Sequence, residues 1–344
     1  MHKNNFDFLR LIFAILVIVT HSYVLSGSGK ADWLSDITQG QINFSSLGVK
    51  GFFIISGYLI FQSALRSHSW GDFMIRRLLR IYPALIVVLI LTVLLGAMVS
   101  DFNATQYFAS HSTWLYVPVN LGMFFPQPDQ LPGVFIANHY KNSVNGSLWT
   151  IPYEFLFYIL FSFLLFIQRF PRFIKATVFI ALLLIWIWIW RHEDTPARYI
   201  INNSIELHML AHFGLCFLGG ACLYIISIAQ SRYKAYILFS ALALIVFFIA
   251  IKQFYFTQFI LLPVSIICIG TYTTRGISLI SSRMGDFSYG IYIYGFLVQQ
   301  TLMHYFNLYA FRLMVLSVAI TFILGAASWH FIEKRALALK RYFP

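Results

Sequence analysis

Arg10 and His21 stand eleven positions apart in a mostly apolar stretch, 8–26. In a helix, eleven steps of about 100° end about 20° from three full turns. Both side chains therefore share one face, about 16 Å apart along the axis. A guanidinium fork suits phosphate oxygens, and an imidazole can take a proton or carry a group transiently. Arg10 can equally be a snorkelling anchor and His21 an interfacial or packed histidine. A second basic element is Phe73-Met74-Ile75-Arg76-Arg77-Leu78-Leu79-Arg80-Ile81-Tyr82-Pro83. Arg77 and Arg80 lie one helical turn apart and can face the same phosphate, although basic connections are also ordinary in membrane proteins. Glu154 sits six residues inside an apolar run that begins at Leu148, where an unpaired carboxylate is costly.

The elements that must hold these groups follow from composition. Of 344 residues, 59% are hydrophobic and only 10% charged. A soluble domain carries roughly 25% charged residues, so the chain is built for lipid. Disorder and a disulfide-stapled secreted module are excluded by the same balance. Ten runs reach or approach the ~20 apolar residues that a span needs. They lie near 8–26, 47–65, 82–100, 148–167, 174–190, 207–227, 235–251, 256–272, 287–304 and 312–332. The expected fold is an all-α integral membrane protein of about ten transmembrane helices, forming one domain.

Basic residues orient it. Of 24 Lys and Arg, seven (Lys30, Lys50, Lys141, Arg191, Arg198, Lys252 and Arg312) fall on one side and seventeen on the other. The positive-inside rule then places both termini in the cytoplasm. The net charge of +12 is thereby a topology signal, with anionic lipid contact as a by-product, and nucleic-acid binding is not expected. Residues 101–147 become a long periplasmic loop. Its aromatic and amide side chains suit a sugar, or equally a rest at the headgroups. Cys216, Cys222 and Cys268 read as inert buried thiols. His208 and His212 have i, i+4 spacing but no third ligand in view, so no metal is expected. An interfacial pair near the acceptor entrance is the preferred reading of the two histidines.

Six short motifs in order resemble the acyltransferase-3 family of bacterial inner-membrane acyltransferases. They are Asp7-Phe8-Leu9-Arg10 with His21, the stretch Gly48 to Ile60, Arg77/Arg80 with Tyr82-Pro83, Ser147-Leu148-Trp149 to Glu154, Ser288-Tyr289 to Tyr292, and Phe331-Ile332-Glu333-Lys334. The resemblance runs from Asn5 to Lys334. Two positions depart from it: Lys50 stands where members often have Asp, and Tyr294-Gly295 where members with a fused periplasmic domain carry Trp-His. A stand-alone subtype is expected.

The resemblance implies transfer of an acyl group, usually acetyl, from cytoplasmic acyl-CoA to a hydroxyl of a cell-envelope or exported glycan. No permanently bound cofactor is expected; acyl-CoA is a substrate, and the acceptor is a glycan or lipid-linked saccharide. On this view Arg10, Arg77 and Arg80 hold donor phosphates, and His21 is general base or transient acyl acceptor. Matching depths of about 8–9 Å from the outer ends of their helices suggest that Glu154 orients His21. The alternative is that Glu154 bonds only to Tyr153, Tyr158 or backbone. Ser56, Trp149, Tyr158, Tyr289 and Tyr292 line the acceptor space or tunnel, or simply pack. Glu333 pairs with a nearby arginine. The rival readings are a transporter or flippase of a lipid-linked glycan, which an internal two-fold repeat would favour, and a non-catalytic assembly subunit. No such repeat is seen.

Overall fold

The computed structural model describes residues 4–342 except 68, 125–127, 168, 193–199, 202–204, 275 and 278–284. Lys3, Arg198, Arg275 and Arg283, used above for orientation, lie outside the described residues. The main elements are α1 (Phe6–Leu25), α2 (Trp33–Ile37), α3 (Phe44–Arg66), α4 (Trp70–Val99), α5 (Ala104–Ala109), α6 (His111–Leu121) and α7 (Ile151–Ser162). After them come α8 (Pro171–Arg191), α9 (Leu207–Ile225), α10 (Lys234–Ala250), α11 (Phe254–Gly270), α12 (Ser288–Phe306), α13 (Ala310–Ser328) and α14 (Lys334–Ala338). A pair of two-residue strands, Ile200–Ile201 and Ile205–Glu206, precedes α9. The protein is thus an all-α, multi-span membrane protein. Among the described residues, seven helical segments are long and apolar enough to cross a bilayer, and α10 and α11 are shorter apolar helices.

Burial sorts the helices into layers. The most apolar window of α9 is 72% buried and that of α8 only 17%, so α9 is central and α8 turns its apolar side chains outward, as a lipid-facing helix does. Helix α3 runs against α9, α1 and α11, and α1 packs in turn on α12. The α3–α9 crossing is close because glycines meet backbone. A Cβ on Gly57 would stand 1.8 Å from the Phe217 carbonyl oxygen, and one on Gly220 would stand 2.1 Å from that of Ile54. The Ser56-Gly57 step therefore permits helix packing.

Two stretches differ from the expectation of plain connections. Residues 70–81 are the first turns of α4 rather than a loop: Ser69 caps the helix by accepting from the Asp72 amide at 3.1 Å, and Pro83 is accommodated inside it. The 101–147 segment contains α5 and α6 and is anchored to α12. Asn138 Nδ2 donates to Gln300, and Asn145 Nδ2 donates to the Ile293 carbonyl, each at 2.9 Å. Sequence periodicity missed both because each helix is short or begins in a basic, polar stretch, where caps and tertiary contacts outweigh apolar patterning.

Replacing Gly57 with Ala forces the α3–α9 backbones apart and should cost about 1–3 kcal/mol. A lowered thermal midpoint of detergent-purified protein, compared with Gly71→Ala, whose Cβ meets only the Ser69 hydroxyl at 4.0 Å, checks this.

Candidate active site

Two spaces lie along α1. The larger, about 880 Å³, is lined by His21 together with Lys50, Trp149, His208, Tyr255 and Phe296, and by Asn120, Tyr140, Ser143 and Asn145 from the 101–147 segment and its end. The smaller, about 50 Å³, is lined by Arg10, Arg80, Glu154, Tyr158, Tyr289 and Tyr292. Val49 belongs to both walls. Phe52 and Tyr292, with ring centroids 5.7 Å apart, stand on the narrow side. Arg10 and His21 thus open into different spaces at the two ends of one helix.

The His21 end is held by Asp32, which is 1% exposed. Its carboxylate accepts from Thr20 Oγ1 at 2.6 Å, from the Ser35 amide at 3.0 Å and from the Phe44 amide at 3.2 Å. The Thr20 hydroxyl also accepts from the Ser45 amide at 2.7 Å, so α1, α2 and α3 are joined beside His21. On the other side Gln299 donates to the Ile18 carbonyl and to Ser22 Oγ. The imidazole meets Phe296 edge-on, with centroids 5.3 Å apart, and its Nδ1 is buried without a hydrogen-bond partner. That leaves a ring held by its neighbours with a nitrogen uncommitted.

Glu154 finds other hydrogen-bond partners than His21. Its Oε1 accepts from Ser56 Oγ at 3.0 Å and from the Tyr158 hydroxyl. The carboxylate faces the narrow space, whereas His21 faces the wide one. Equal depth along two helices fixes height but not rotation, and α7 turns Glu154 towards α3. Thr150 and Tyr292 share a hydrogen bond of 2.6 Å, and the Tyr289 hydroxyl donates to the Ile81 carbonyl at 3.0 Å. Trp149 is exposed on the wide space, edge-on to Tyr153 and tilted against Phe213.

The arginines fall into two kinds. Asp286 accepts from Arg10 at 3.1 Å and also from Arg80, while Glu333 accepts from Arg80 at 3.1 Å. Glu333 is 1% exposed, and its other oxygen accepts from Ser328 at 2.9 Å. A π turn at Trp329–Glu333 carries it. Arg77 forms no ion pair among the described residues. Its Nη2 donates to Ser63 Oγ at 2.5 Å, its plane lies over Phe73 and Tyr158, and its Nε has no partner. The Glu333–arginine pairing expected from the sequence is present. Asp286 was missed; the available signal was an acid two residues before Ser288-Tyr289 in a chain with only 12 Asp and Glu.

His208 and His212 line the wide space, and His212 has both nitrogens engaged, by the His208 carbonyl and the Tyr255 hydroxyl. No group of three metal-ligating side chains occurs among the described residues. The three cysteines are free and buried.

The site thus has carboxylate-paired arginines at one end and an imidazole with an uncommitted nitrogen at the other. Residues 3–330 match the acyltransferase-3 family, described as "Acyltransferase domain", and the chain belongs to it. It is therefore a membrane-bound acyltransferase. Among relatives, it is 35% identical over 342 residues to the O-acetyl transferase of Shigella phage Sf6, covering 98% of this chain and 97% of that one. It is 32% identical over 176 residues to nodulation protein 10 of Rhizobium leguminosarum bv. viciae, covering 49% of this chain and 46% of that protein. No solved structure matches it.

Asp286 joins two arginines, so Asp286→Asn should destabilise the protein by about 3 kcal/mol or more. Arg77→Gln breaks no ion pair and should cost about 1 kcal/mol. Thermal unfolding of the two variants side by side separates a framework group from an available one.

Proposed function

We propose that the protein transfers an acetyl group from acetyl-CoA to a hydroxyl of a cell-envelope or exported glycan, carried as a lipid-linked saccharide, at the outer face of a bacterial inner membrane. The observation that carries this reading is the pair of spaces meeting at Val49, one walled by arginine and tyrosine, the other by His21, amides and hydroxyls. Only the larger lies in the size range of small-molecule sites. The basic asymmetry supports ten crossings with both termini cytoplasmic, which puts Arg77 on the donor side and the wide cavity on the acceptor side. Arg77, whose charge is not committed to a carboxylate, binds the donor phosphate; Arg80 and Arg10 hold the entrance in shape beside it. Family membership speaks for transfer rather than for a transporter or flippase.

In the reaction the acceptor hydroxyl oxygen attacks the thioester carbonyl while its proton passes to His21. The carbon–sulfur bond breaks, and the departing thiolate takes the proton from the imidazolium, giving CoA and the ester. Ser56, Tyr158, Tyr289 and Tyr292 line the route of the thioester. Glu154, hydrogen-bonded to Ser56 and Tyr158, fixes that wall and acts there instead of on His21. Trp149 offers a face for a sugar ring.

The test is transfer of radiolabelled acetyl from acetyl-CoA to envelope glycan in membranes containing the protein. His21→Ala should lower it by about a hundredfold or more, the usual worth of a general base. Undiminished transfer would overturn the assignment, and label retained on His21 would show a two-step route.

Arg77→Ala should weaken acetyl-CoA binding about ten- to a hundredfold, the worth of a charge-assisted hydrogen bond. Arg77→Lys should recover it in part, because the fork is lost. Unchanged affinity in equilibrium binding would remove Arg77 from the donor site.

A further inference from the structure

Lys50 is the feature of the wide cavity that acyl transfer to a hydroxyl leaves unexplained. It lies near the start of α3 and lines the cavity that also holds His21. Its Nζ donates to Gln258 Oε1 at 2.6 Å. Gln258 is 2% exposed, and its own amide nitrogen donates to the Tyr255 carbonyl at 2.7 Å, which fixes the side-chain oxygen on Lys50. The ammonium also lies 6.0 Å from the centroid of Phe259, where a ring face attracts a cation. Both neighbours favour a protonated amine, and neither neutralises it.

No ion pair among the described residues includes Lys50. Among the described residues, Asp129 is the one carboxylate in the cavity lining, and it is exposed and outside ion-pair distance of Lys50. His212 cannot compensate, since it carries no negative charge and both its nitrogens are engaged. Lys50 is half-buried, and a cation partly withdrawn from water without a counter-charge carries a desolvation cost. A ligand that brings an anion into the cavity removes that cost, and an ammonium fixed by one neutral partner still has donors to offer.

We propose that Lys50 is an anion anchor for the acceptor: it binds an anionic group, a sugar carboxylate or a carrier phosphate, while the neutral part of the saccharide lies among Trp149, Tyr140 and Asn145 towards His21. This rests on the reading of the wide cavity as the acceptor site. The consequence is selectivity, with charged saccharides bound in preference to neutral ones of equal size.

The experiment measures saccharide binding to the detergent-purified full-length protein without donor, so that it is independent of acetyl transfer. The probes are N-acetylglucosamine disaccharide, a glucuronate-containing disaccharide, N-acetylglucosamine 1-phosphate and farnesyl-diphosphate-linked N-acetylglucosamine. The wild type should bind at least one anionic probe about ten- to a hundredfold more tightly than the neutral disaccharide. Preference for the glucuronate probe identifies a sugar carboxylate; preference for the phosphate probes identifies the carrier. Lys50→Gln should abolish the preference while changing neutral binding less than about threefold, and Lys50→Arg should keep it. Equal affinity for charged and neutral probes, no binding of any probe, or an equal loss of both in Lys50→Gln would each overturn the proposal. The wild-type comparison decides even if a variant fails to fold. Failure of acetyl transfer with the preference intact would instead count against the acyl-transfer reading.

Discussion

Asp286 sits between Arg10 and Arg80, and Arg80 reaches on to Glu333. These four charges come from the start of α1, the first half of α4, the residues just before α12 and the π turn after α13. Charges removed from water persist only when paired and hydrogen-bonded, and each carboxylate here has a serine as well as an arginine. The network therefore ties four distant parts of the chain at one end of the bundle. The π turn matters because it brings Glu333 inward, to 1% exposure, where a regular helix in lipid would be expected to show an acid to the headgroups. Arg77 stands apart from this network, on Ser63 and two aromatic faces, and keeps its charge available.

At the other end the constraint is hydrogen bonding rather than charge pairing. Asp32 gathers Thr20 and the first turns of α2 and α3, and Gln299 grips α1 from α12. His21 is thereby placed with little help from contacts of its own. The helices that enclose it approach closely only where glycine allows, as at Gly48, where a Cβ would stand 2.6 Å from the Phe13 carbonyl oxygen. Close packing in some layers leaves room in others, and the 101–147 segment, pinned to α12 through Asn138 and Asn145, supplies part of the wall of the resulting cavity.

Under the proposed function, these two ends would serve substrates that arrive from opposite sides. The donor end then needs a positive charge that no carboxylate neutralises, which Arg77 would supply, while the paired network of Arg10, Arg80, Asp286 and Glu333 holds the helices together. On the same proposal the acceptor end needs a base that is not consumed by internal hydrogen bonds, and His21 Nδ1 has no such bond. Glu154 lines the narrow space and is hydrogen-bonded to Ser56 and to Tyr158 of the same wall.

The sequence by itself determined that the chain lives in a membrane, that it is helical, and which family it resembles. Apolar runs of a given length have few alternatives in lipid, where the backbone must satisfy itself. Arg10, His21 and Glu154 were legible as candidates because ionisable residues inside such runs are rare and costly, and Arg77 and Arg80 because they stand one helical turn apart in a basic stretch. Their partners were not legible. Helical spacing gives height and rotation along one helix, so it placed Arg10 and His21 on one face of α1, and the position of Glu333 at the end of the last apolar run pointed to an arginine partner. Spacing says nothing of how one helix is rotated against another. Tertiary packing decided that Glu154 meets Ser56 and Tyr158 instead of His21, that Asp286 joins two arginines, and that Lys50 faces the wide cavity beside Gln258. Those contacts join residues up to 276 positions apart, and only the packing of whole helices brings such residues within a hydrogen bond.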